Sequence, residues 1–189
     1  MMLGAEDEQV PEQFAKETIF SESFACVVWR GSRHGGGRHA RARGLSLADY
    51  LRAQHVTVSV LGGKQTVPER QLAQAGHQRR AALHVPYFAT AMRSVVGTEL
   101  IATVPRRIAE IGARDPELRL VGPPALFQSF DYLMVWHPRL AADPAHVWLR
   151  EVIRSIGVEL GRSAAAAEGA GAKRAGRSPR SRTPRARPR

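Results

Sequence analysis

The chain has 189 residues, of which 43% are hydrophobic and 6% aromatic, and its formal net charge is +11. This composition is typical of a globular chain, and the length suits one domain with a sizeable core. The single cysteine, Cys26, excludes an intramolecular disulfide and a thiolate metal cluster. The acidic start is unlike a secretory signal, and no apolar run is long enough to span a membrane. We therefore expect a cytoplasmic protein without a membrane partner.

Most of the positive charge lies near the C-terminus. Residues 172–189 hold eight of the 28 Lys and Arg residues and no acid, so residues 1–171 carry 20 basic and 17 acidic residues, a net charge of +3. The shift to Ala, Gly, Ser, Pro and Arg predicts a disordered basic tail over 161–189. A solvated tail is the favoured interpretation, and weak, sequence-blind nucleic-acid binding is the alternative. The residues that would contact phosphate groups are Arg177, Arg180, Arg182 and Arg185.

The first third of the chain predicts strands, a loop and a short helix. Loose alternation over 17–29 predicts one long strand, and the Gly-, Arg- and His-rich segment 31–44 predicts a mobile loop. Ser46 and Asp49 have the spacing of a capping box, which predicts a short helix there. β-branched residues predict the next strand, over 55–60.

The segment 66–121 predicts alternating helices and strands. Thr66 and Glu69 form a second capping box, and Gly76 ends the helix that they open. The pattern then predicts a strand over 80–85, a helix over 88–96, a strand over 100–104, a helix after Pro105 and a strand over 118–121. Such alternation builds a parallel sheet whose ligands bind beyond the carboxyl ends of the strands. A last strand over 127–136 and a helix from Pro144 complete the pattern.

The carboxyl ends of three predicted strands indicate a ligand pocket. The candidate effector-binding residues are Ser59, Leu61, Gly62, Thr66, Tyr87, Phe88, Thr103 and Val104. Backbone N–H groups at the start of the helix after Thr66 suit an anionic group, hydroxyls add donors, and the aromatic rings supply an apolar wall. The alternative stays open that Ser59 and Thr66 only cap and that Phe88 belongs to the core.

Chemistry other than binding has little support in the sequence. Ser59, His84 and Asp131 are present, but no serine has a nucleophile-elbow motif around it. His34 and His39 lie close together in the Gly-rich loop, where a rigid third metal ligand is lacking. We therefore expect no enzyme, no metal site and no cofactor.

Several of these segments, in this order, resemble the effector-binding domain of LysR-type transcriptional regulators. The similarity runs from about residue 3 to residue 157. The segments that carry it are FACVVWRG at 24–31, LSLADYL at 45–51, HVTVS at 55–59, VPYFATAMRSVVGTELIATVPRRIAE at 85–110, MVWHPR at 134–139 and DPAHVWL at 143–149. The ordered series makes the resemblance specific, whereas no single motif does.

The resemblance implies an α/β fold of the type 2 periplasmic-binding-protein-like kind, with one complete lobe and a partial second lobe. By resemblance, residues 1–30 are the remnant of a first lobe and 31–135 form the second, effector-binding lobe. Residues 136–160 then supply the end of the returning strand and a helix that packs on the first lobe, and 161–189 are the tail. The predicted pocket residues correspond to positions that line the effector cleft in these regulators.

The implied function is binding of a small organic acid or aromatic effector to regulate DNA-templated transcription. Nothing in the sequence resembles a helix-turn-helix, so we expect an N-terminally truncated member whose DNA contacts would come through the missing part. Because members dimerise through these domains, a homodimer or a dimer with full-length relatives is expected. An enzyme or solute-binding protein on the same fold and a non-functional fragment remain as alternatives.

Overall fold

The computed structural model describes residues 1–5, 10–36, 44–59 and 66–175, with side chains as far as Gly161. Within these ranges the strands are β1 (Met2–Ala5), β2 (Ala15–Glu22), β3 (Phe24–Trp29), β4 (Gln54–Val58), β5 (Arg80–Val85), β6 (Ile101–Pro105), β7 (Leu118–Val121) and β8 (Phe130–Trp136). The helices are α1 (Arg33–Gly36), α2 (Leu47–Arg52), α3 (Val67–Gln74), α4 (Phe88–Ser94), α5 (Arg106–Gly112) and α6 (Pro144–Ala175).

The strands form two sheets. The first is antiparallel, with the order β1-β8-β2. The second has the order β5-β4-β6-β3-β7, in which β4 pairs in parallel with β5 and β6, and β3 pairs antiparallel with β6 and β7. The predicted α/β class, with a mixed sheet flanked by helices, is confirmed.

Both faces of the five-stranded sheet are covered, because its central strands are apolar on both sides. Ala25 and Val27 of β3 pack in a core that includes α4 and α5 residues. Cys26 and Val28, which point the other way along the same strand, pack in a second core with α2 and α3 residues. Full burial of a side chain such as Val28 contributes about 1.5–3 kcal/mol, so these two cores hold the second sheet together.

The chain changes sheets at Ser23, so the prediction of one strand over 17–29 is wrong. The Ser23 N–H donates to a Glu22 carboxylate oxygen at 2.9 Å, and the Ser23 carbonyl accepts from the Arg106 N–H at 2.8 Å. The bond to Arg106 continues the pairing of β3 with β6, so at Ser23 the chain leaves the sheet that holds β2 and enters the sheet that holds β3. The predicted lobe boundaries at 30 and 135 remain predictions.

Two helix ends follow the sequence signals and one does not. The Ser46 hydroxyl accepts from the Asp49 N–H at 3.1 Å at the start of α2, so the first capping box is confirmed. Gly76 adopts φ +74° just after α3, as the predicted stop requires. Thr66 is the N-cap of α3, but its side chain makes no capping hydrogen bond, so the second capping box is wrong.

The C-terminal helix differs in length from the prediction. α6 extends to Ala175 and so overlaps the segment 161–189, for which the composition predicts disorder, and the disordered tail stays a prediction. Ala has the highest helix propensity of all residue types, so the run Ala164–Ala167 favours a helix there. Residues 176–189 lie outside the described part. None of the helices in the described ranges has the length and apolar character that crossing a bilayer requires.

Candidate functional site

Two cavities adjoin the carboxyl ends of β4, β5 and β6. The smaller one, here called the inter-sheet cavity, has a volume of about 230 Å³ and takes its walls from both sheets. Its lining residues are Ala5, Phe24, Val58, Thr66, Val67, Pro68, Arg70, Arg79, Phe88, Thr103, Pro105, Phe130 and Tyr132. The larger, here called the lateral cavity, has a volume of about 980 Å³ and lies between α3 and β5.

Aromatic side chains form the wall where the two sheets meet. The Phe24 and Phe130 rings stack at a centroid distance of 4.7 Å, one from each sheet. The Tyr132 ring lies 5.7 Å from that of Phe130 and stacks on Phe20 at 4.8 Å. Because aromatic faces favour planar apolar partners, this wall suits an aromatic or flat apolar portion of a ligand.

A buried cation lies at the polar end of the same cavity. The Arg79 side chain is only 3% exposed, and its Nε and Nη2 atoms both donate to Glu69 Oε1. Nη1 donates to the Tyr50 hydroxyl at 2.7 Å. The Tyr50 hydroxyl lies 2.7 Å from Thr103 Oγ1, and since it accepts from Arg79 it has its own proton left to donate there. Four side chains, those of Glu69, Arg79, Tyr50 and Thr103, therefore form one polar chain, of which Arg79 and Thr103 line the cavity.

Burial sets the protonation of the groups around this chain. Burial raises the pKa of the Cys26 thiol to about 12, and the Thr103 hydroxyl beside it only partly opposes this. Burial likewise raises the pKa of Tyr50. His55, whose Nε2 lies 2.8 Å from the Tyr50 carbonyl, has its pKa lowered by burial to about 4. At neutral pH the thiol, phenol and imidazole are therefore uncharged, and Cys26 behaves as a small buried apolar residue.

The electrostatics of the inter-sheet cavity favour an anion. Its charged lining residues in the described part of the chain are Arg70 and Arg79, and the charge of Arg79 is already compensated by Glu69, which does not line this cavity. α3 begins at this cavity with Val67, and since Pro68 has no N–H, the first backbone N–H groups of the helix are those of Val67 and Glu69. The start of α3 is therefore the feature of this cavity that favours an anionic group.

The lateral cavity shares Thr66 and Arg79 with the inter-sheet cavity. Thr66 Oγ1 and Glu69 Oε2 are both buried, and neither has a hydrogen-bond partner among the described residues. The imidazole of His84, another lining residue, lies 2.7 Å from the Thr57 hydroxyl through its Nδ1. Hydrogen-bond donors in this cavity would therefore meet acceptors that the protein leaves available.

The structure places the predicted pocket residues in different surroundings. Thr66, Phe88 and Thr103 line the inter-sheet cavity, whereas Ser59 lines the lateral cavity. Tyr87 is 70% exposed and lines neither cavity, and Val104 is fully buried in the core on the α4 and α5 side. Leu61 and Gly62, like the tail residues Arg177, Arg180, Arg182 and Arg185, lie outside the described residues. The assignment of effector contacts stays a prediction.

Sequence reasoning missed several residues that line the inter-sheet cavity. Arg79 directly precedes β5 and shows no local signal that distinguishes it from the surface residue Arg80. Phe130 and Tyr132 lie on β8, in the other sheet, and reach the cavity only through tertiary packing. In the sequence, aromatic Phe130 and Tyr132 alternate with charged Asp131, which predicts that the two rings share one face of a strand. This alternation is the local signal that could have identified them.

The residue types of a serine hydrolase are not assembled. Asp131 accepts hydrogen bonds from the Ser21 hydroxyl at 2.5 Å and the Thr18 hydroxyl at 3.2 Å, both on β2. His84 lies in the five-stranded sheet, where its imidazole contacts Thr57 of the neighbouring strand. Among the described residues, no group of three His, Cys, Asp or Glu side chains is placed to hold a metal ion.

Comparison with known families gives one match over most of the chain. A family model described as the LysR substrate binding domain matches residues 1–156. The chain is 28% identical over 142 residues to the HTH-type transcriptional regulator LinR of Sphingobium indicum, covering 74% of this chain and 45% of LinR. It is 30% identical over 149 residues to Nodulation protein D 1 of Sinorhizobium fredii, covering 76% of this chain and 44% of that protein. The chain thus spans less than half the length of these curated relatives.

Solved structures agree with this match. The regulatory domain of MexT, a transcriptional activator in Pseudomonas aeruginosa, superposes with a TM-score of 0.63 and 28% identity, over 81% of this chain and 70% of that one. A probable transcriptional regulator from the same organism gives a TM-score of 0.69 at 23% identity, over 80% of this chain and 49% of that one. At that lower identity the likeness concerns the fold alone.

Proposed function

The chain belongs to the LysR substrate-binding domain family, and on that premise we propose that its inter-sheet cavity binds a small organic acid or aromatic effector. In this proposal the chain is the effector-binding part of a regulator of DNA-templated transcription. Domains of this family belong to transcription regulators, and the proposal includes no catalysis. The effector's binding would shift the relative position of the two sheets, because both contribute to the walls.

One observation carries the proposal. The inter-sheet cavity combines an aromatic wall with buried Arg79 and the start of α3, and the lining side chains come from both sheets. A carboxylate at the α3 end would accept from backbone N–H groups and the Thr66 and Thr103 hydroxyls, while a ring would lie against Phe130 and Tyr132. The volume of about 230 Å³ favours a compound of about one ring over a larger one.

Thermal unfolding of the full chain tests this proposal. The protein is titrated with benzoate, salicylate, adipate and benzyl alcohol, which separate the need for a carboxylate from the need for a ring. A ligand present at 100 times its Kd stabilises the folded state by about 2.7 kcal/mol, so a bound carboxylate should raise Tm by several degrees. The uncharged alcohol should give a much smaller shift.

A pair of matched variants shows whether the shift comes from this cavity. Val58→Trp places an indole in the inter-sheet cavity, whereas Val158→Trp places one on α6, where Val158 is 52% exposed. The ligand shift should vanish in V58W and persist in V158W. A shift that survives V58W contradicts the proposed site, and no shift with any of the four compounds contradicts the proposed ligand class.

Dimerisation, DNA contact and location are further parts of the proposal. We propose that the chain pairs with a second copy or with full-length relatives, supported by large apolar side chains that stay exposed on α6 and β1, such as Trp148 at 64% and Met2 at 55%. Light scattering of the purified chain tests this. It stays a prediction that the regulator contacts DNA through a helix-turn-helix or weakly through the basic tail. The cytoplasmic location also stays a prediction.

A further inference from the structure

One arginine joins elements that the sheets otherwise keep apart. Arg107 is the second residue of α5, which follows β6 of the five-stranded sheet. Its guanidinium lies 4.6 Å from the ring centroid of Phe20, on β2 of the other sheet. Its Nη2 donates to the Leu160 carbonyl of α6 at 2.9 Å, and its Nη1 lies 3.8 Å from the Glu22 carboxylate. A single side chain therefore contacts β2 and α6 from α5.

Both β2 partners of Arg107 lie opposite residues of the inter-sheet cavity. Phe20 pairs with Tyr132 across the ladder, and their rings stack at 4.8 Å. Glu22 pairs with Phe130 in the same ladder. Tyr132 and Phe130 both line the cavity, so a displacement of either ring by an occupant changes the surface on which Arg107 rests.

Loss of the contacts that Arg107 makes with β2 is energetically unfavourable. Glu22 is only 6% exposed, and a buried carboxylate that loses its cationic neighbour is strongly disfavoured. The guanidinium also stacks on Phe20, so it follows that ring rather than moving independently. Its bond to Leu160 then transmits the displacement to the backbone of α6.

We infer that Arg107 is the positioning residue that couples occupancy of the inter-sheet cavity to the packing of α6 on β2. The inference rests on the proposed function, since it takes this cavity to be the effector site. Coupling here means that the effect of a filled cavity on the packing of α6 depends on whether the Arg107 contacts are intact.

Hydrogen exchange of the full chain tests the first half of this inference. Arg107→Gln removes the charge and the reach to Leu160, whereas Arg106→Gln alters the neighbouring residue, whose ion pair is with Glu110 on the same helix. Exchange of the α6 amides over 152–161 should become about fivefold faster in R107Q and stay unchanged in R106Q. Exchange over 88–94 in α4 serves as the reference for intact folding. Equal rates in the two variants would overturn the inference.

A cavity-filling variant tests the coupling without any ligand. Val58→Trp, or Ala5→Leu from the opposite wall if V58W does not fold, occupies the cavity permanently. Filling should change exchange over 152–161 at least about twofold in the wild-type background and leave it unchanged in the R107Q background. A purely structural Arg107 would give the same change in both backgrounds, which contradicts the inference. Since no carboxylate is added, this outcome stands apart from failure of the ligand titration.

Discussion

Arg79 donates a 2.7 Å hydrogen bond to the Tyr50 hydroxyl, and both residues are buried. The bond joins the segment before β5 to α2, and Thr103 on β6 continues it at 2.7 Å. Since Arg79 also lines the inter-sheet cavity, one wall of that cavity is held in place by the core of the five-stranded sheet. The same polar chain therefore contributes to the stability of the sheet and to the shape of the proposed binding cavity.

Tyr50→Phe should lower the free energy of unfolding by about 1–3 kcal/mol. The change removes one hydroxyl, and it leaves both Arg79 Nη1 and Thr103 Oγ1 without the bond that each makes to it. Chemical denaturation at neutral pH measures the loss. Tyr87→Phe is the matched control, because Tyr87 is 70% exposed, and it should fall within about 0.5 kcal/mol of the wild type. An equal effect of the two changes would contradict this account.

His55 should make the protein less stable as the pH falls from about 6.5 to about 4. Burial lowers its pKa to about 4, while the pKa in the unfolded chain is about 6.5, so only the unfolded state takes up the proton in this range. Above about pH 6.5 neither state binds it, so the stability that His55 contributes is fully present there. The loss approaches about 3 kcal/mol near pH 4.

Denaturation of wild type and His55→Gln across this pH range isolates the effect. Gln keeps an N–H donor for the Tyr50 carbonyl but does not titrate, so the carboxylates contribute equally to both curves. The difference between the curves should be flat above about pH 6.5 and change steadily below it. A difference that is constant down to pH 4 would show that His55 takes up its proton without unfolding.

The cavity residues show how far sequence reasoning reaches. Local patterns locate the strand ends, and they place Thr66, Phe88 and Thr103 together because parallel strands end at one edge. The prediction that both Thr103 and Val104 line the pocket ignores the alternation of side chains along a strand. Neighbouring residues face opposite sides of the sheet, and only Thr103 reaches the cavity. Local sequence patterns therefore identify site residues only when these lie in one sheet and on one face of it.

Contacts between the two sheets lie beyond such patterns. Arg79 is polar in a position that local rules assign to the surface, and only packing of α2, α3 and β6 around it shows that it is buried. Phe130 enters the site through a pairing of β8 with β2, more than 100 residues apart in sequence. The change of sheet at Ser23 is hidden for the same reason, because the pairing of β3 with β6, which the bond from the Arg106 N–H to the Ser23 carbonyl continues, is distant in sequence.

Phe130→Ala should destabilise the protein by about 3–5 kcal/mol. Phe130 is 7% exposed and stacks on Phe24 across the junction of the sheets, so truncation leaves a void that neither sheet fills. The same change should abolish any thermal shift with an aromatic carboxylate, because it removes the central ring of the aromatic wall, which contacts both Phe24 and Tyr132. Urea denaturation checks the first part. Tyr87→Ala, a truncation at the exposed ring, should cost less than about 0.5 kcal/mol.

Two glycines one turn apart on α6 should respond to alanine with opposite signs. A Cβ at Gly157 would lie 2.8 Å from the Ile19 carbonyl oxygen and would also overlap the Ile19 side chain, because α6 packs closely on β2 there. A Cβ at Gly161 would meet nothing within 4 Å. In a helix, alanine is favoured over glycine by about 0.5–1 kcal/mol, so Gly161→Ala should raise Tm.

Gly157→Ala should lower the free energy of unfolding by about 1–3 kcal/mol, because the helix must move away from backbone atoms of β2. Thermal denaturation of the two single variants measures both signs in one experiment, and helix propensity cancels between them. Stabilisation by both changes would show that α6 does not rest on Ile19, and the contacts of Leu160 with Arg107 would then lose their support as well. Destabilisation by both would instead show that α6 packs closely at Gly161 too.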